Sequence, residues 1–340
     1  MSLSEALRIG ILGTAKIARS FTQGVRLSKS VRVAAVASRD TGKAQRFAAD
    51  TGIERHFGSY ELLLADREID AVYIPLPNSL HAEWTIRAAQ AGKHVLCEKP
   101  LAASAAEARA MFDAARRHGV KLVEGYPYLA QPQTLKMREL LEAGAIGEPR
   151  LIQASFGFTL SDRENIRLDP QLAGGALMDV GVYPVSLSRV IAKHRPVRVQ
   201  AVAHFTSDER GAGVDSALAA TLEFAGGLLA QITCSFESAL HRQALIVGSA
   251  GIIQTTFANH TSAEQPGILR LRAGEGKGID STVQTATVNG FLAEAESFAR
   301  LVREGTAPGT GATPEESIDI LMTLEALLLS ARSGAAVAMT

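Results

Sequence analysis

One rhythm governs the first 124 residues: a short apolar run, then a stretch with helical periodicity, over and over. RIGIL (Arg8 to Leu12) precedes Ala15 to Arg26, VRVAAVA (Val31 to Ala37) precedes Thr41 to Thr51, and AVYIP (Ala71 to Pro75) precedes Leu80 to Ala91. HVLC (His94 to Cys97), a helix from Ser104 to His118 with Glu107 three residues past its opening serine, and KLVE (Lys121 to Glu124) continue the pattern. Alternating βαβ units build a parallel sheet with helices on its faces, so residues 1–124 are expected to form an α/β, doubly wound domain.

Beyond about residue 150 the runs lengthen and become β-rich: Arg198 to Phe205, Ala217 to Phe224, Leu228 to Phe236 and His241 to Gly248. Gly226-Gly227 between two of them signals a hairpin. Strands joined by short turns imply a largely antiparallel sheet, and two helices, roughly Phe291 to Glu304 and Pro314 to Ser333, close the chain. Residues 125–340 therefore read as an α+β domain, and 340 residues suffice for two cores of ordinary size.

Thirty-five basic residues balance thirty-five acidic ones with no long run of either sign, which argues against nucleic acid or an acidic membrane and for a small, weakly charged partner. Cys97 and Cys234 lack metal-ligand spacing and suit a reducing, cytoplasmic setting. Met1 to Leu7 has no basic region followed by an apolar core, and no segment reaches the roughly 18 apolar residues of a membrane span. A soluble, unexported protein is the expectation.

The first strand runs into GILGTAKIA, where Gly13, Ala15 and Ala18 hold the three positions of a G-x-G-x-x-G/A turn. Alanine at the middle position departs from the pattern and should push a pyrophosphate slightly outward without abolishing the anion site at the helix N-terminus. Gly13, Thr14, Ala15 and Ile17 are the candidate contacts there; the alternative is a tight turn with no ligand. At the second strand's tip, Ser38-Arg39 replaces the acidic residue that would bind the ribose of NAD, which points to the 2′-phosphate of NADP. Asp40 opposes this if it rotates toward the ribose, so NAD stays open.

In IPLPNSLH, two prolines hold an extended loop at the carboxyl end of the sheet, where ligands bind. Leu76, Asn78 and His81 are candidate cofactor contacts, although Asn78 equally suits a helix cap and His81 faces either cofactor or solvent. Glu98 and Lys99 end a later strand at the same edge. Lys99 can stabilise charge developing on a substrate oxygen, or pair with Glu98 as a structural ion pair. Further on, GGALMDVGVYP places Asp179 and Tyr183 four residues apart on one helical face. A phenol is a usable acid or base when an ammonium sits beside it, and Lys99 is the candidate neighbour; a packed, polar-capped helix is the alternative. His204, His241 and His260 stand alone, and no cluster suggests a metal.

With Glu98-Lys99-Pro100, the Gly13-to-Ala18 turn, LPNSLH (Leu76 to His81) and GGALMDVGVY (Gly174 to Tyr183) in order, the chain resembles the Gfo/Idh/MocA oxidoreductase family nearly end to end. NIRLD (Asn165 to Asp169) looks most like NADP-dependent D-xylose and trans-dihydrodiol dehydrogenases. The resemblance implies a Rossmann domain, a second domain with a large, mostly antiparallel open sheet, and a homodimer or homotetramer formed through that sheet. It also implies hydride transfer between a nicotinamide and a sugar, polyol or cyclic diol, with Lys99 matching the catalytic lysine and Asp179 and Tyr183 the D-x-x-x-H/Y pair. Leu129 and Gln131 depart from the Arg and His usual in EGYPYLAQP, which bears on the substrate. A short-chain dehydrogenase is excluded because Leu187 occupies the position its lysine needs. A glycosidase using NAD transiently and a non-catalytic dinucleotide-binding regulator remain as alternatives.

Overall fold

A computed structural model describes residues 6–206, 213–274, 278–307 and 309–339. Residues 1–5, most of the stretch read above for an export signal, lie outside the described residues. The chain forms two compact units, one of Met1–Gln131 with Val288–Pro314 and one of Pro132–Thr287 with Glu315–Thr340.

The first unit holds six strands: β1 (Leu7–Leu12), β2 (Val31–Ala37), β3 (Arg55–Phe57), β4 (Ala71–Ile74), β5 (His94–Glu98) and β6 (Leu122–Gly125). They pair in parallel in the order β3-β2-β1-β4-β5-β6, so the strand order reverses between β1 and β4 and makes a crevice at their carboxyl ends. Helices α1 (Lys16–Gly24), α2 (Thr41–Thr51), α3 (Tyr60–Ala65), α4 (His81–Gln90) and α5 (Ala105–Arg117) connect them. Every residue of β4 is buried, which is why that strand reads as an unbroken apolar run. Ser104 caps α5 by accepting from the Glu107 amide at 3.2 Å, and Glu107 reaches back to the Ala103 amide at 3.0 Å. β3 and α3 escaped the sequence reading because three and six residues are too short to show a period.

The second unit opens with α6 (Pro132–Glu142), β7 (Pro149–Thr159) and α7 (Val182–Ala192), followed by β8 (Arg198–Phe205), β9 (Asp215–Glu223), β10 (Leu229–Ser235), β11 (Glu237–Gly248), β12 (Gly251–Thr255), β13 (Ile268–Ala273) and β14 (Ile279–Gln284). After α8 (Gly290–Glu304), which belongs to the first unit, come α9 (Pro314–Ser333) and β15 (Val337–Ala338). The nine-stranded sheet is antiparallel except where β7 and β10 run parallel. Gly226 and Gly227, at φ 81° and 88°, make the β9–β10 turn, closed by the Phe224 amide on Leu228 O at 2.9 Å. A buried ion pair, Arg189 to Asp319 at 2.7 Å, ties α7 to α9.

The return of α8 to the first unit differs from the linear reading, which counts that segment with the second domain. Its cause is apolar packing: Phe291 sets its ring edge-on to Phe21 at 5.9 Å, and Phe21 stacks on Tyr73 of β4 at 4.0 Å. Asn289 caps α8 by accepting from the Phe291 amide at 3.0 Å. Among the described residues, no helix is long and apolar enough to cross a membrane.

Candidate cofactor and catalytic site

The turn after β1 rests on Gly13. Its φ is 104°, and a Cβ there would lie 2.9 Å from Leu76 Cδ2, so both backbone and neighbour demand glycine. Ala15 then serves as N-cap of α1, with no side-chain cap and no acidic residue in the first turn. The leading amides of α1 therefore retain an affinity for anions that a capping side chain would have blunted, which fits a pyrophosphate. Thr14 and Ala15 are half-buried, and Ile17 presents apolar surface in the same turn at 38% exposure.

At the tip of β2, Asp40 serves as the cap of α2. Asp40 Oδ1 accepts from the Lys43 amide at 2.9 Å, and this bond is the leading cause that holds its carboxyl below the usual range. Ser38 is 7% exposed and accepts from the Asp40 amide at 3.3 Å. Arg39 is exposed, and its charge opposes the burial that raises the pKa of the Tyr60 phenol.

The loop after β4 corrects two expectations. Asn78 opens a short 3-10 turn, Asn78–Leu80, and neither that turn nor α4 takes a side-chain cap. His81 faces neither cofactor nor solvent: its ring has no exposed surface, with Nδ1 2.9 Å from Pro100 O and Nε2 2.8 Å from Leu76 O. Burial, ahead of the opposing carbonyl contacts, lowers its pKa. The ring links the loop after β4 to the segment after β5, where Lys99 sits. Two carbonyls meet there because the loop folds back, a geometry no local spacing reveals.

Glu98 and Lys99 are half-buried at the end of β5, and Glu98 Oε1 accepts from the Tyr73 hydroxyl at 2.5 Å. Glu294 of α8, fully buried, stands near them. Burial first, and the Glu98 charge second, push its carboxyl well above the usual range. The Gln131 that departs from the family pattern has no exposed surface and donates through Nε2 to Val288 O at 3.1 Å, so it serves the packing of the first unit.

In the second unit, Leu177–Gly181 is π-helical and α7 starts only at Val182. The sequence reading took this as one α-helix. Pro184 supplies the reason: it lacks an N–H and would clash with the carbonyl four residues back, so it belongs in a first helical turn, and the wider π turn precedes it. Gly181 lets this turn approach β10, since a Cβ there would lie 2.9 Å from Cys234 Sγ. Asp215, which the sequence reading passed over, accepts from the Leu177 amide at 2.6 Å. Its burial raises its pKa to about 6 against the hydrogen bonds that oppose it.

Asp179 accepts from Arg167 Nε at 2.6 Å, which gives NIRLD a physical role: its arginine is paired with the candidate carboxylate. Tyr183 is 5% exposed, and Asn259 Nδ2 donates to its Oη at 2.9 Å. The Arg242 guanidinium lies over the Tyr183 ring, 4.1 Å from its centroid, and the Phe156 ring is 5.4 Å away. Asn259 and Arg242 carried no signal in the sequence, because Asn259 is 76 positions from the tyrosine it touches.

Residues 7–126 match the family described as "Oxidoreductase family, NAD-binding Rossmann fold", and residues 134–254 match the GFO/IDH/MocA C-terminal domain. The chain is 39% identical to a D-xylose 1-dehydrogenase (NADP(+)) of Haloferax volcanii, over 97% of this chain and 99% of that protein. This chain belongs to the Gfo/Idh/MocA oxidoreductase family. Among its relatives in the family, a trans-1,2-dihydrobenzene-1,2-diol dehydrogenase of Danio rerio is 37% identical over 73% of this chain and 74% of that one. A crystal structure of a 3-ketoreductase from Actinomadura kijaniata, in complex with NADP and TDP-benzene, superposes with a TM-score of 0.84 at 31% identity, covering 96% of this chain and 98% of that one. As a Gfo/Idh/MocA protein the chain is a nicotinamide-dependent oxidoreductase.

Proposed function

We propose that this enzyme uses NADP to move a hydride to or from the C–OH carbon of a sugar, polyol or cyclic diol. The observation that carries the cofactor choice is the commitment of Asp40 to capping α2, which leaves the β2 tip to Ser38 and Arg39. A 2′-phosphate would meet a hydroxyl and a guanidinium there, with no carboxylate turned toward it. Gly13, Thr14, Ala15 and Ile17 would hold the pyrophosphate, and Leu76, Asn78, Glu98 and Lys99 would complete the cofactor contacts. The substrate class rests on the relatives, whose names specify D-xylose and a dihydrobenzenediol.

Bound NADP supplies the site that accepts or donates hydride. The chain's own part is the proton and the charge. Tyr183 takes the hydroxyl proton in oxidation, or gives it in reduction, at its Oη. Lys99 stabilises negative charge that develops on a substrate oxygen. Asp179, held by Arg167, orients the reacting group or binds a second hydroxyl.

A screen of aldoses, polyols and diols, following reduced-nicotinamide absorbance with both cofactors, tests the reading directly; turnover with no such compound overturns it. In the enzyme so assayed, Lys99→Met is expected to leave NADP binding measurable but lower turnover by about 10², the size of losing one electrostatic stabiliser. Wild-type turnover would remove Lys99 from the mechanism. We further propose a cytoplasmic homodimer or homotetramer, in keeping with two buried, free cysteines and a nine-stranded sheet with a broad outer face.

A further inference from the structure

Directly after Lys99, one peptide group is held at both of its polar ends by side chains that have no exposed surface. The Pro100 carbonyl lies 2.9 Å from His81 Nδ1, and the N–H of the same peptide unit, that of Leu101, donates to Glu124 Oε1 at 2.9 Å. The two arms come from separate elements, since His81 opens α4 and Glu124 lies in β6. Burying an imidazole and a carboxyl costs free energy unless they are bonded, and here each gives a bond to the one peptide. Carbonyl oxygens only accept, so each contact of the His81 ring needs an N–H, and burial favours the neutral ring, which has one. The Pro100 contact is buried and the Leu76 contact, 2.8 Å from Nε2, is part-buried, so that N–H stabilises more at Nδ1.

We propose that His81 and Glu124 are positioning residues that clamp the Pro100-Leu101 peptide and so aim Lys99 at a substrate oxygen. The inference rests on the reading of Lys99 as the group that stabilises charge on such an oxygen, and adds what holds that group in place. A peptide group is planar, so bonds to its C=O and its N–H together fix its orientation, and Pro100, whose ring locks φ, passes that orientation back to Lys99. On the other side Lys99 follows β5, where Glu98 pairs with Gly125 in the parallel ladder. The Lys99 backbone is thus anchored before and after the residue. A small rotation there is carried along a flexible four-carbon stem to the ammonium, and a misplacement of about 1 Å can cost on the order of 10² in rate. No proton passes to or from His81 or Glu124. Because Lys99 answers charge that develops only in the transition state, the clamp acts on kcat rather than on substrate affinity.

The test measures kcat and KM at saturating NADP with the best substrate from the screen. His81→Phe keeps a ring but loses both N–H positions, Glu124→Met removes the acceptor for the Leu101 amide, and His81→Asn sets an amide N–H near the place of Nδ1. His81→Phe and Glu124→Met are expected to lower kcat about 10-fold, short of the loss expected for Lys99 itself, while KM stays within about twofold. His81→Asn should recover most of that loss, because it can still donate to Pro100 O. The Lys99→Met background separates aiming from packing: adding His81→Phe there should lower kcat no further, since residues that act through one group are not additive. If His81→Phe or Glu124→Met does not fold, His81→Gln, whose longer amide reaches the place of Nε2 and Leu76 O instead, carries the test. Wild-type kcat in a folded variant that lacks either bond, no recovery in His81→Asn, or a full multiplying loss in the double variant would overturn the clamp and leave Lys99 in the mechanism. Wild-type turnover in Lys99→Met would overturn the reading of Lys99 itself, and this inference with it.

Discussion

Asp40 and Ser38 stand two positions apart, and their competition shows how a single hydrogen bond assigns residue roles. An aspartate beside a ribose site reads as an NAD signal, but at a helix start the same carboxylate gains an amide partner and a favourable dipole. In this chain the cap wins, with Asp40 Oδ1 on the Lys43 amide. Ser38→Asp should therefore reverse the cofactor preference, bringing a like charge toward the 2′-phosphate and an acceptor toward the ribose hydroxyls. The expected change is on the order of tenfold or more in the ratio of NADP to NAD dissociation constants, from a charged hydrogen bond worth about 1.5–3 kcal/mol. Titration of both cofactors by fluorescence measures it, and an unchanged ratio would move the determinant away from this tip. His81 is the opposite case. Its place in the motif was plain from the sequence, whereas its burial between two carbonyls depended on the loop folding over it.

The π turn that precedes α7 depends on a residue from another element. Asp215, at the first position of β9, sits 2% exposed beneath the π turn and accepts from the Leu177 amide. Its pKa is raised from 3.8 to about 6, with burial the largest cause. Between those values the folded chain holds a proton that the unfolded chain has released, so the fold is favoured at the acid end. That contribution is complete below about pH 4 and is lost as pH rises through about 6; the full span amounts to about 3 kcal/mol. Asp215→Asn keeps a carbonyl oxygen for the Leu177 amide and cannot titrate. The difference in Tm between Asp215→Asn and wild type is expected to grow in favour of the variant from pH 4 to pH 7. A difference that stays flat across this range would mean that Asp215 ionises as freely in the fold as outside it. The π turn itself was legible in principle from Gly181 and Pro184, but the helical spacing of Asp179 and Tyr183 masked it.

For the molecule as a whole, the prediction concerns association. On the sheet through which association is expected, the strands present Gln153, Ser155, Gln231, Thr233, Gln243 and Gln254 around a concavity of about 670 Å³. Gln153 donates to Gln231 at 3.1 Å, and Ser155 meets Thr233 at 2.6 Å, so a partner on this face would bind through amide and hydroxyl ladders with apolar Leu151 and Leu229 at one end. Sedimentation equilibrium at micromolar concentration is expected to give a dimer or tetramer. The double variant Gln153→Glu with Gln231→Glu, which sets two like charges side by side, should dissociate it. A wild-type monomer would sink the expectation. What the sequence by itself determined is whatever short-range chemistry can encode: the βαβ rhythm, the glycine turn at Gly13, the Ser104 cap, the Gly226-Gly227 hairpin, and the order of motifs that places the chain in its family. Tertiary structure alone decided that α8 rejoins the first unit, that Asp40 caps a helix, that His81 bridges two carbonyls, and that Asn259 and Arg242 attend Tyr183. The physical reason is range. Periodicity and turn preference act over a few residues, whereas the winner between competing hydrogen bonds depends on backbone directions set by segments dozens of positions away.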